Sequence, residues 1–309
     1  MEYAIFEKDK SGFIHSIDNV VIEYYVKIYD MKKIAKELIE IRNQNKCPGW
    51  EKLNCTFCSK YSWYQNIIHF NGIMHICFGR YDMYDRNSRS HNVIPMLRLE
   101  VNPNKHWKKQ VFNDVMMWIR YNCTDGELKK YDYAIDVPYA IEHVIVLNSK
   151  KEKGLYKGTI YRGQRSQHGF LKVYNKAKEQ DEQQELTRIE YTFKISEKQN
   201  FDNIVILKPM STSNDESGLS KTNLCIVGLC REMMAKNLDF ESYIQILDFR
   251  KRKIIYQYVF DGFVDLVYDS AIISRLLEKI NNMFINDKVI DRSSCGFEKV
   301  DLESEIPFD

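Results

Sequence analysis

Residues 159–180 read TIYRGQRSQHGFLKVYNKAKEQ, and this stretch decides the fold. Its two arms are rich in β-branched and aromatic residues and flank Ser166-Gln167, a pattern typical of a β-hairpin. A strand-like run with an aspartate, YDYAIDVP (131–138), precedes the hairpin, and LTRIEYTFK (186–194) follows it. This order predicts an antiparallel sheet in which the hairpin accompanies an aspartate strand and an Arg-x-Glu strand.

The first half of the chain shows the same kinds of element. Asn-Gly at 71–72 favours a tight hairpin turn, because both residues readily adopt positive φ angles. In two further stretches apolar side chains recur every three or four residues, which indicates amphipathic helices. The predicted elements are a strand at 19–26, a helix at 30–44, a hairpin around 71–72, a strand at 95–103 and a helix at 107–121.

Both halves contain a late strand with an Arg-x-Glu core, and each of these strands follows a hairpin. The two tripeptides are Arg98-Leu99-Glu100 and Arg188-Ile189-Glu190. They suggest an internal duplication of an α+β unit, with copies at 1–125 and 126–208. The alternative is a chance match of short tripeptides, with Glu100 as an ordinary structural residue.

The character of the chain changes after residue 208. The segment PMSTSNDESGLSK (209–221) is polar and contains Gly and Ser, as linkers do, and apolar residues at helical spacing follow it. The predicted fold class is α+β: two related antiparallel-sheet and helix units, followed by a mainly helical C-terminal region. The predicted organisation is a core at 1–208, a linker at 209–221, a helical DNA-binding or dimerisation region at 222–290 and an acidic tail at 291–309.

Positive charge is concentrated around the hairpin. Residues 150–178 contain nine Lys or Arg and a single acidic residue, Glu152, so this segment carries +8; because the whole chain carries +2, the remainder is near −6. Such a segment indicates DNA as a partner, since counterion release favours binding to the phosphate backbone. The alternative is a solvated charged hairpin. The predicted contacts are Lys150, Lys151, Lys153, Lys157, Arg165 and Lys172, with a second basic run at Arg250, Lys251, Arg252 and Lys253.

Composition argues against a membrane or exported protein. The mean hydropathy is −0.46 and 28% of residues are charged, and no stretch approaches the roughly 20 apolar residues that a membrane span requires. The first ten residues, MEYAIFEKDK, lack the basic and apolar blocks of a secretory signal. We therefore expect a cytoplasmic protein with no membrane partner.

The eight cysteines are scattered, so reduced thiols are expected rather than a disulfide framework. Cys55 and Cys58 have half the spacing of a zinc ribbon, with Cys47 and His69 as further candidate ligands. There is no second Cys-x-x-Cys pair. Ordinary thiols are therefore favoured over a zinc site, for which closure by four ligands would be persuasive.

The hairpin, with the aspartate strand before it and the Arg-x-Glu strand after it, resembles the core of the Rep-trans family. These proteins initiate rolling-circle plasmid replication, and related relaxases act on conjugative elements; phage-type replication proteins carry similar blocks. The resemblance covers residues 93–195. It rests on the order of three motifs: an aspartate strand, a YxGxRxS hairpin that ends in YxK, and an RxE strand.

The resemblance implies site-specific nicking of one DNA strand by a tyrosine, which leaves a 5′-phosphotyrosyl link and a free 3′-OH. Tyr174 matches the nucleophile of the family. A phenol with a pKa near ~10 needs help to react at neutral pH. Lys176 and Arg162 can lower this pKa and neutralise charge on the phosphorus, and Arg188 of the RxE strand completes the catalytic set.

A divalent cation is expected to share this work. Mg²⁺ and Mn²⁺ prefer carboxylate oxygens, and Asp136 and Glu190 are the predicted ligands. None of the seven histidines forms the His-hydrophobe-His pair that binds metal in many rolling-circle nickases. His168, in the hairpin, is a candidate third ligand or proton carrier.

Several alternatives stay open at this point. Tyr161 and Tyr191 are rival nucleophiles, Glu190 can instead pair with Arg188, and His168 can be an ordinary surface residue. The basic run at 250–253 can be a solvated helix face. The alternative function is an initiator protein that binds the replication origin without cutting it.

The chain ends in EKVDLESEIPFD (298–309), which is acidic. Its Ile-Pro-Phe resembles the tip of bacterial single-strand-binding proteins, where it recruits replication partners. Asp309 follows the phenylalanine, so the terminal Phe carboxylate of those tips is missing. The two interpretations are a docking tail for a helicase or another replisome protein, and a disordered acidic tail.

Overall fold

A computed structural model shows the predicted α+β fold, with a large antiparallel sheet and helices that include C-terminal ones. The strands and helices predicted in both halves are confirmed. The described residues are 5–28, 30–54, 64–85, 90–147, 151, 153–165, 167–180, 185–207, 220–235, 238–260, 263–266 and 268–285.

One antiparallel sheet contains most of the described strands. Its strands are β1 (Phe6–Lys8), β2 (Ile14–Val26), β3 (Gly49–Lys52), β4 (Asn66–Phe70), β5 (Met74–Asp85), β6 (Ser90–Val101), β7 (Cys123–Val137), β9 (Lys153–Tyr156), β10 (Thr159–Arg162), β11 (Phe170–Asn175) and β12 (Thr187–Lys194). Their spatial order is β3-β4-β5-β6-β2-β7-β12-β11-β10-β9, with β1 also paired to β2. A smaller sheet has the order β14-β13-β8 and contains β8 (Val144–Leu147), β13 (Asn203–Leu207) and β14 (Phe263–Asp265).

The helices interrupt the strands and continue after them. In the described residues they are α1 (Met31–Gln44), α2 (Pro103–His106), α3 (Gln110–Asn122), α4 (Lys176–Gln180), α5 (Lys221–Ala235), α6 (Phe240–Ile244), α7 (Phe249–Phe260) and α8 (Ser270–Phe284), with one short 3₁₀ turn (Ile141–His143). No helix in this part of the chain combines the length and apolar character needed to cross a membrane.

Side chains alternate between the two faces of the large sheet. One face is apolar, and its buried residues form a single core with those of α1, α3 and α8. The alternate positions on the inner strands present polar side chains to the opposite side. We call this side the polar face and define it by Arg98, Glu100, Lys172, Arg188 and Glu190.

The two halves of the sheet have the same strand order around the central pair β2 and β7. From the centre outward, the first half runs β2, β6, β5, β4, β3, and the second runs β7, β12, β11, β10, β9. The ladders also correspond: Arg98 lies opposite Glu23 of β2, and Arg188 lies opposite Asp136 of β7. An origin of this correspondence by duplication stays a prediction.

The C-terminal region is joined to the large sheet rather than separate from it. Helices α5, α6 and α7 share a second core with the small sheet, in which Val227 and Ile255 pack with Ile145 and Val205. Helix α8 instead buries its apolar stripe in the core of the large sheet, because such a stripe must be covered. The predicted linker at 209–221 lies almost wholly outside the described residues, as does the acidic tail at 291–309.

Candidate active site on the polar face

The site residues of β11 and β12 share the polar face because of the strand register. Tyr174 lies opposite Arg188, and Lys172 lies opposite Glu190. Alternation along β11 then places Lys172 and Tyr174 on one face, and Lys176, the first residue of α4, continues the series. Thus four side chains from two adjacent strands, together with Lys176 at the start of α4, converge on one surface.

Tyr174 and Glu190 form the centre of this group. The Tyr174 hydroxyl donates a hydrogen bond to Glu190 Oε2 at 3.4 Å, and both residues are only partly buried. Burial raises the pKa of the Glu190 carboxyl to about 7, and the nearby carboxylates of Asp132 and Asp18 add to that rise. Burial, followed by the charge of Glu190, also raises the pKa of Tyr174 well above its usual range. A carboxylate with a pKa of about 7 is a suitable acceptor for a phenolic proton at neutral pH. The predicted lowering of the Tyr174 pKa by Lys176 and Arg162 is not observed, because burial and the charge of Glu190 raise it instead.

Lys172 is a cation that lies beside both members of this pair. Its Nζ lies 3.9 Å from the centre of the Tyr174 ring and 3.8 Å from Glu190 Oε2. From the sequence, Lys172 is predicted to be a DNA contact rather than a neighbour of the nucleophile. The available signal was the strand period of two, which puts residues 172, 174 and 176 on one face.

A buried ionic network lies beside this centre. Asp136 accepts from Arg188 Nε at 2.5 Å and Nη2 at 2.6 Å, and from Lys176 Nζ at 3.1 Å. Arg188 Nη1 also donates to Asp18 of β2. Arg188, Asp136 and Lys176 are each 2% exposed. No local motif in the sequence predicts Asp18, an aspartate of β2, as the partner of an arginine in β12.

The geometry does not fit a metal site formed by Asp136 and Glu190 as predicted. Both oxygens of Asp136 are engaged by Arg188 and Lys176, so a cation would have to displace them. Across the described ranges, no three His, Cys, Asp or Glu side chains are grouped closely enough to hold a metal ion. Mg²⁺ or Mn²⁺ dependence stays a prediction that the described side chains do not support.

Arg162 lies on the other side of the sheet from Tyr174. It pairs with Leu171, which belongs to the apolar core, so the ladder directs Arg162 away from the polar face. The two rival nucleophiles, Tyr191 and Tyr161, lie on opposite faces of the sheet. Tyr191 is fully buried in the core, where its hydroxyl bonds that of Tyr268, whereas Tyr161 is on the polar face opposite Lys172.

The basic segment is divided between paired and exposed side chains. Lys151 Nζ donates to Asp202 Oδ2 at 2.7 Å and to the Gly169 carbonyl at 2.6 Å, so it links the hairpin to the segment just before β13. Lys157 and Arg165 are exposed, and Lys157 occupies the turn between β9 and β10 with φ +49°. Lys150 and the side chain of Lys153 lie outside the described residues.

The second basic run lies at the start of α7. Arg250, Lys251 and Lys253 are exposed, and Arg252 is partly buried. Asp248 precedes them and accepts from the Lys251 amide at 2.9 Å, as a residue that caps a helix does. Exposure at the first turn leaves these cations accessible to a phosphate backbone.

His168 and Cys47, one of the candidate zinc ligands, have other partners. His168 Nδ1 accepts from the Lys194 amide at 3.2 Å and Nε2 donates to the Lys198 carbonyl at 3.0 Å, so both ring nitrogens are engaged. The Cys47 thiol donates to the Pro48 carbonyl at 3.5 Å. Cys55 and Cys58 lie outside the described residues.

Comparison with known proteins found similarity among solved structures. No family model matches the chain, and no curated protein matches it. Among solved structures, the chain is similar to a rolling circle replication initiator protein from Geobacillus stearothermophilus, at 12% identity and a TM-score of 0.30. The match covers 74% of this chain and 98% of that one. At this TM-score the superposition is too loose to assign residues.

Proposed function

We propose that the protein is a replication initiator that nicks one DNA strand at a specific site, with Tyr174 as the nucleophile. The observation that supports this is the hydrogen bond from the Tyr174 hydroxyl to Glu190, on a polar sheet face beside Lys172. A tyrosine needs an adjacent base to attack phosphorus at neutral pH, and Glu190 is such a base.

In the proposed reaction, Tyr174 transfers its proton to Glu190 as its phenolic oxygen bonds to the phosphorus. The bond from phosphorus to the 3′ oxygen breaks, and that oxygen takes a proton from water. The products are a 5′-phosphotyrosyl link and a free 3′-OH. The reverse reaction rejoins the strand, which makes the enzyme a strand-transferase as well as a nickase.

Lys172 is the cation best placed to offset charge on the pentacoordinate phosphorus, since it contacts both Tyr174 and Glu190. Arg188 and Lys176 have a different role. Their cationic groups are engaged by Asp136 and Asp18, so they fix the strand that carries Glu190 and the end of the strand that carries Tyr174.

DNA binding is assigned to exposed cations. Lys157 and Arg165 extend the positive surface of the hairpin, and the α7 run at 250–253 provides a second contact region. Phosphate contacts of this kind position the duplex, whereas recognition of an origin sequence requires contacts to base edges. A homodimer and recruitment of a helicase through the acidic tail are predictions that these residues do not address.

The direct test is a nicking assay on supercoiled DNA that carries the sequence near the gene for this protein. We expect nicked circles and a covalent protein-DNA adduct, with mass spectrometry placing the nucleotide on Tyr174. An adduct on Tyr161 would move the nucleophile by one strand. Origin binding with no adduct, at any concentration of Mg²⁺ or Mn²⁺, would support the non-catalytic initiator instead.

The same assay tests the metal prediction. EDTA should abolish nicking if a divalent cation participates, and Asp136→Asn should then raise the cation concentration that gives half-maximal activity. Nicking that persists in EDTA would leave Glu190 as the base and exclude the metal.

A further inference from the structure

A second group of ring side chains lies on the polar face, in the half of the sheet that lacks Tyr174. Trp50 of β3 lies opposite His69 of β4, which lies opposite His75 of β5. The Trp50 and His69 rings are stacked, with centroids 5.1 Å apart and planes inclined by 5°. His75 meets His69 edge-on at 4.1 Å.

This stack presents an open ring surface. Trp50 is 49% exposed although it lies in a strand of the main sheet. Burial lowers the pKa of His69, so its ring is uncharged at neutral pH and stacks as an aromatic group. Exposed Lys52 lies two residues from Trp50 and therefore on the same side of β3.

The stack and Tyr174 are on the same side of the sheet. From His75 the paired positions lead to Glu100 of β6 and Val21 of β2, then to Lys130 of β7. Alternation along β7 and β12 carries the same face to Glu190, which is next to Lys172 on the strand of Tyr174. Seven strand-to-strand steps of ~4.8 Å separate β3 from β11, a path of roughly 34 Å.

A second stacked pair lies on this face near Tyr174. Tyr161 and Phe170 have ring centroids 6.0 Å apart and planes inclined by 19°. Their paired partners Lys172 and Thr192 are on the polar face, so the two stacks lie toward opposite edges of one surface. Sheet faces with aromatic side chains bind unpaired bases by stacking, which any base permits.

We propose that Trp50, His69 and His75 form a nucleobase-stacking subsite for single-stranded DNA, which holds the strand that Tyr174 cuts at a distance from the cut. The identity of that strand rests on the proposed function; the stacking itself does not. Lys52 would contact a phosphate of the same strand. The subsite lies on β3, β4 and β5, which correspond in strand order to β9, β10 and β11 in the half that contains Tyr174.

The test measures binding of a fluorescein-labelled (dT)12 by anisotropy to protein that carries Tyr174→Phe, so that no cleavage occurs. Adding Trp50→Ala should weaken binding by about tenfold, since stacking on one aromatic ring contributes ~1–3 kcal/mol per base. Tyr121→Ala is the matched control, because Tyr121 is 70% exposed on α3, which packs on the other face. It should change binding by less than about twofold, far below a stacking contribution.

Intrinsic fluorescence keeps the proposal testable if Trp50→Ala fails to fold. (dT)12 should quench tryptophan emission of the unsubstituted protein, and the milder variant Trp50→Phe should lose that quenching. Equal binding by Trp50→Ala and Tyr121→Ala, or quenching that survives in Trp50→Phe, would overturn the subsite. Equal competition by a 12-base-pair duplex would overturn the preference for single strands.

Failure of the nickase and failure of the subsite are distinguishable. Binding that depends on Trp50 without any Tyr174 adduct would retain the subsite and reject the nickase. An adduct on Tyr174 with binding that ignores Trp50 would do the reverse.

Discussion

The two halves of the large sheet share a framework but differ in the residues placed on it. Arg98 pairs with Glu23 in the first half at 3.0 Å, as Arg188 pairs with Asp136 in the second at 2.5 Å. Each arginine is followed two residues later by a glutamate, Glu100 or Glu190. The position opposite Arg188 holds Tyr174, whereas the position opposite Arg98 holds Cys77.

The first half has a tyrosine too, but it is arranged differently. Tyr64 is buried and donates to Glu23 Oε1 at 3.1 Å, so it covers the arginine-carboxylate pair. Tyr174 is partly exposed, and it donates to Glu190, which is not part of the Arg188–Asp136 pair of its own half. Both halves therefore contain a cross-strand pair between an arginine and a carboxylate, and the proposed nucleophile Tyr174 is a residue that β11 contributes to the second half only.

The largest expected difference concerns the two tyrosines. Tyr174→Phe should abolish nicking and the covalent adduct, because the hydroxyl is the proposed nucleophile, while DNA binding persists. Tyr64→Phe removes the same atom from the other half and should retain nicking. Gel assays of supercoiled DNA with both variants test this, and equal loss of activity in both would mean that the halves do not differ as proposed.

The second largest expected difference is between the nicking rates of variants at Glu190 and at Glu100. Glu190→Gln should slow nicking by about 10²–10⁴-fold, the usual contribution of a general base. Because the base must be ionised and its pKa is about 7, the nicking rate of the wild type should rise with pH and level off above that value. Glu190→Gln should lose this rise. Rates in single-turnover conditions from pH 5.5 to 8.5 provide the measurement.

Glu100→Gln is the matched control in the first half. It should keep both the rate and the pH profile, since Cys77 rather than a tyrosine stands on the neighbouring strand. A flat wild-type profile across the same range would remove Glu190 from the role of base, whatever the rate of Glu190→Gln.

Removal of the two arginines should reduce the free energy of unfolding by different amounts, because Arg188 is more deeply buried than Arg98. Arg188→Gln leaves Asp136 and Asp18 without their main partner in a nearly inaccessible site, which typically costs 3–5 kcal/mol of unfolding free energy. Arg98→Gln breaks a pair that water reaches more easily, so about 1 kcal/mol is expected. Urea unfolding monitored by circular dichroism compares them. Equal losses would indicate that both halves depend on their pairs to the same degree.

The smallest effect concerns exposed charge. Lys157→Gln should weaken binding to specific and unrelated DNA alike, and should flatten the slope of log affinity against log salt by roughly one unit. Lys36→Gln, on the solvent-facing side of α1 in the first half, should leave the slope unchanged. A loss of origin preference at constant slope would instead make the hairpin a reader of sequence.

Local patterns in the sequence determined the elements and much of what they carry. Period-two alternation marked residues 131–138, 168–176 and 186–194 as strands, and spacings of three and four marked α1 and α3, because these periods reflect backbone geometry alone. The same alternation put Tyr191 on the side opposite Glu190, and the structure places it in the core. The order of the three motifs predicted that Tyr174 and Glu190 belong to the same site.

Tertiary structure decided which of these residues meet. The register of β10 against β11 turned Arg162 toward Leu171, and that register depends on a long loop in which Gly163 and Gly169 adopt positive φ. Asp18, far from Arg188 in sequence, became its partner because β2 and β12 both flank β7. Strand pairing is a nonlocal choice, made when apolar faces are buried together, so periodicity along one strand cannot reveal the side chains that its neighbours supply.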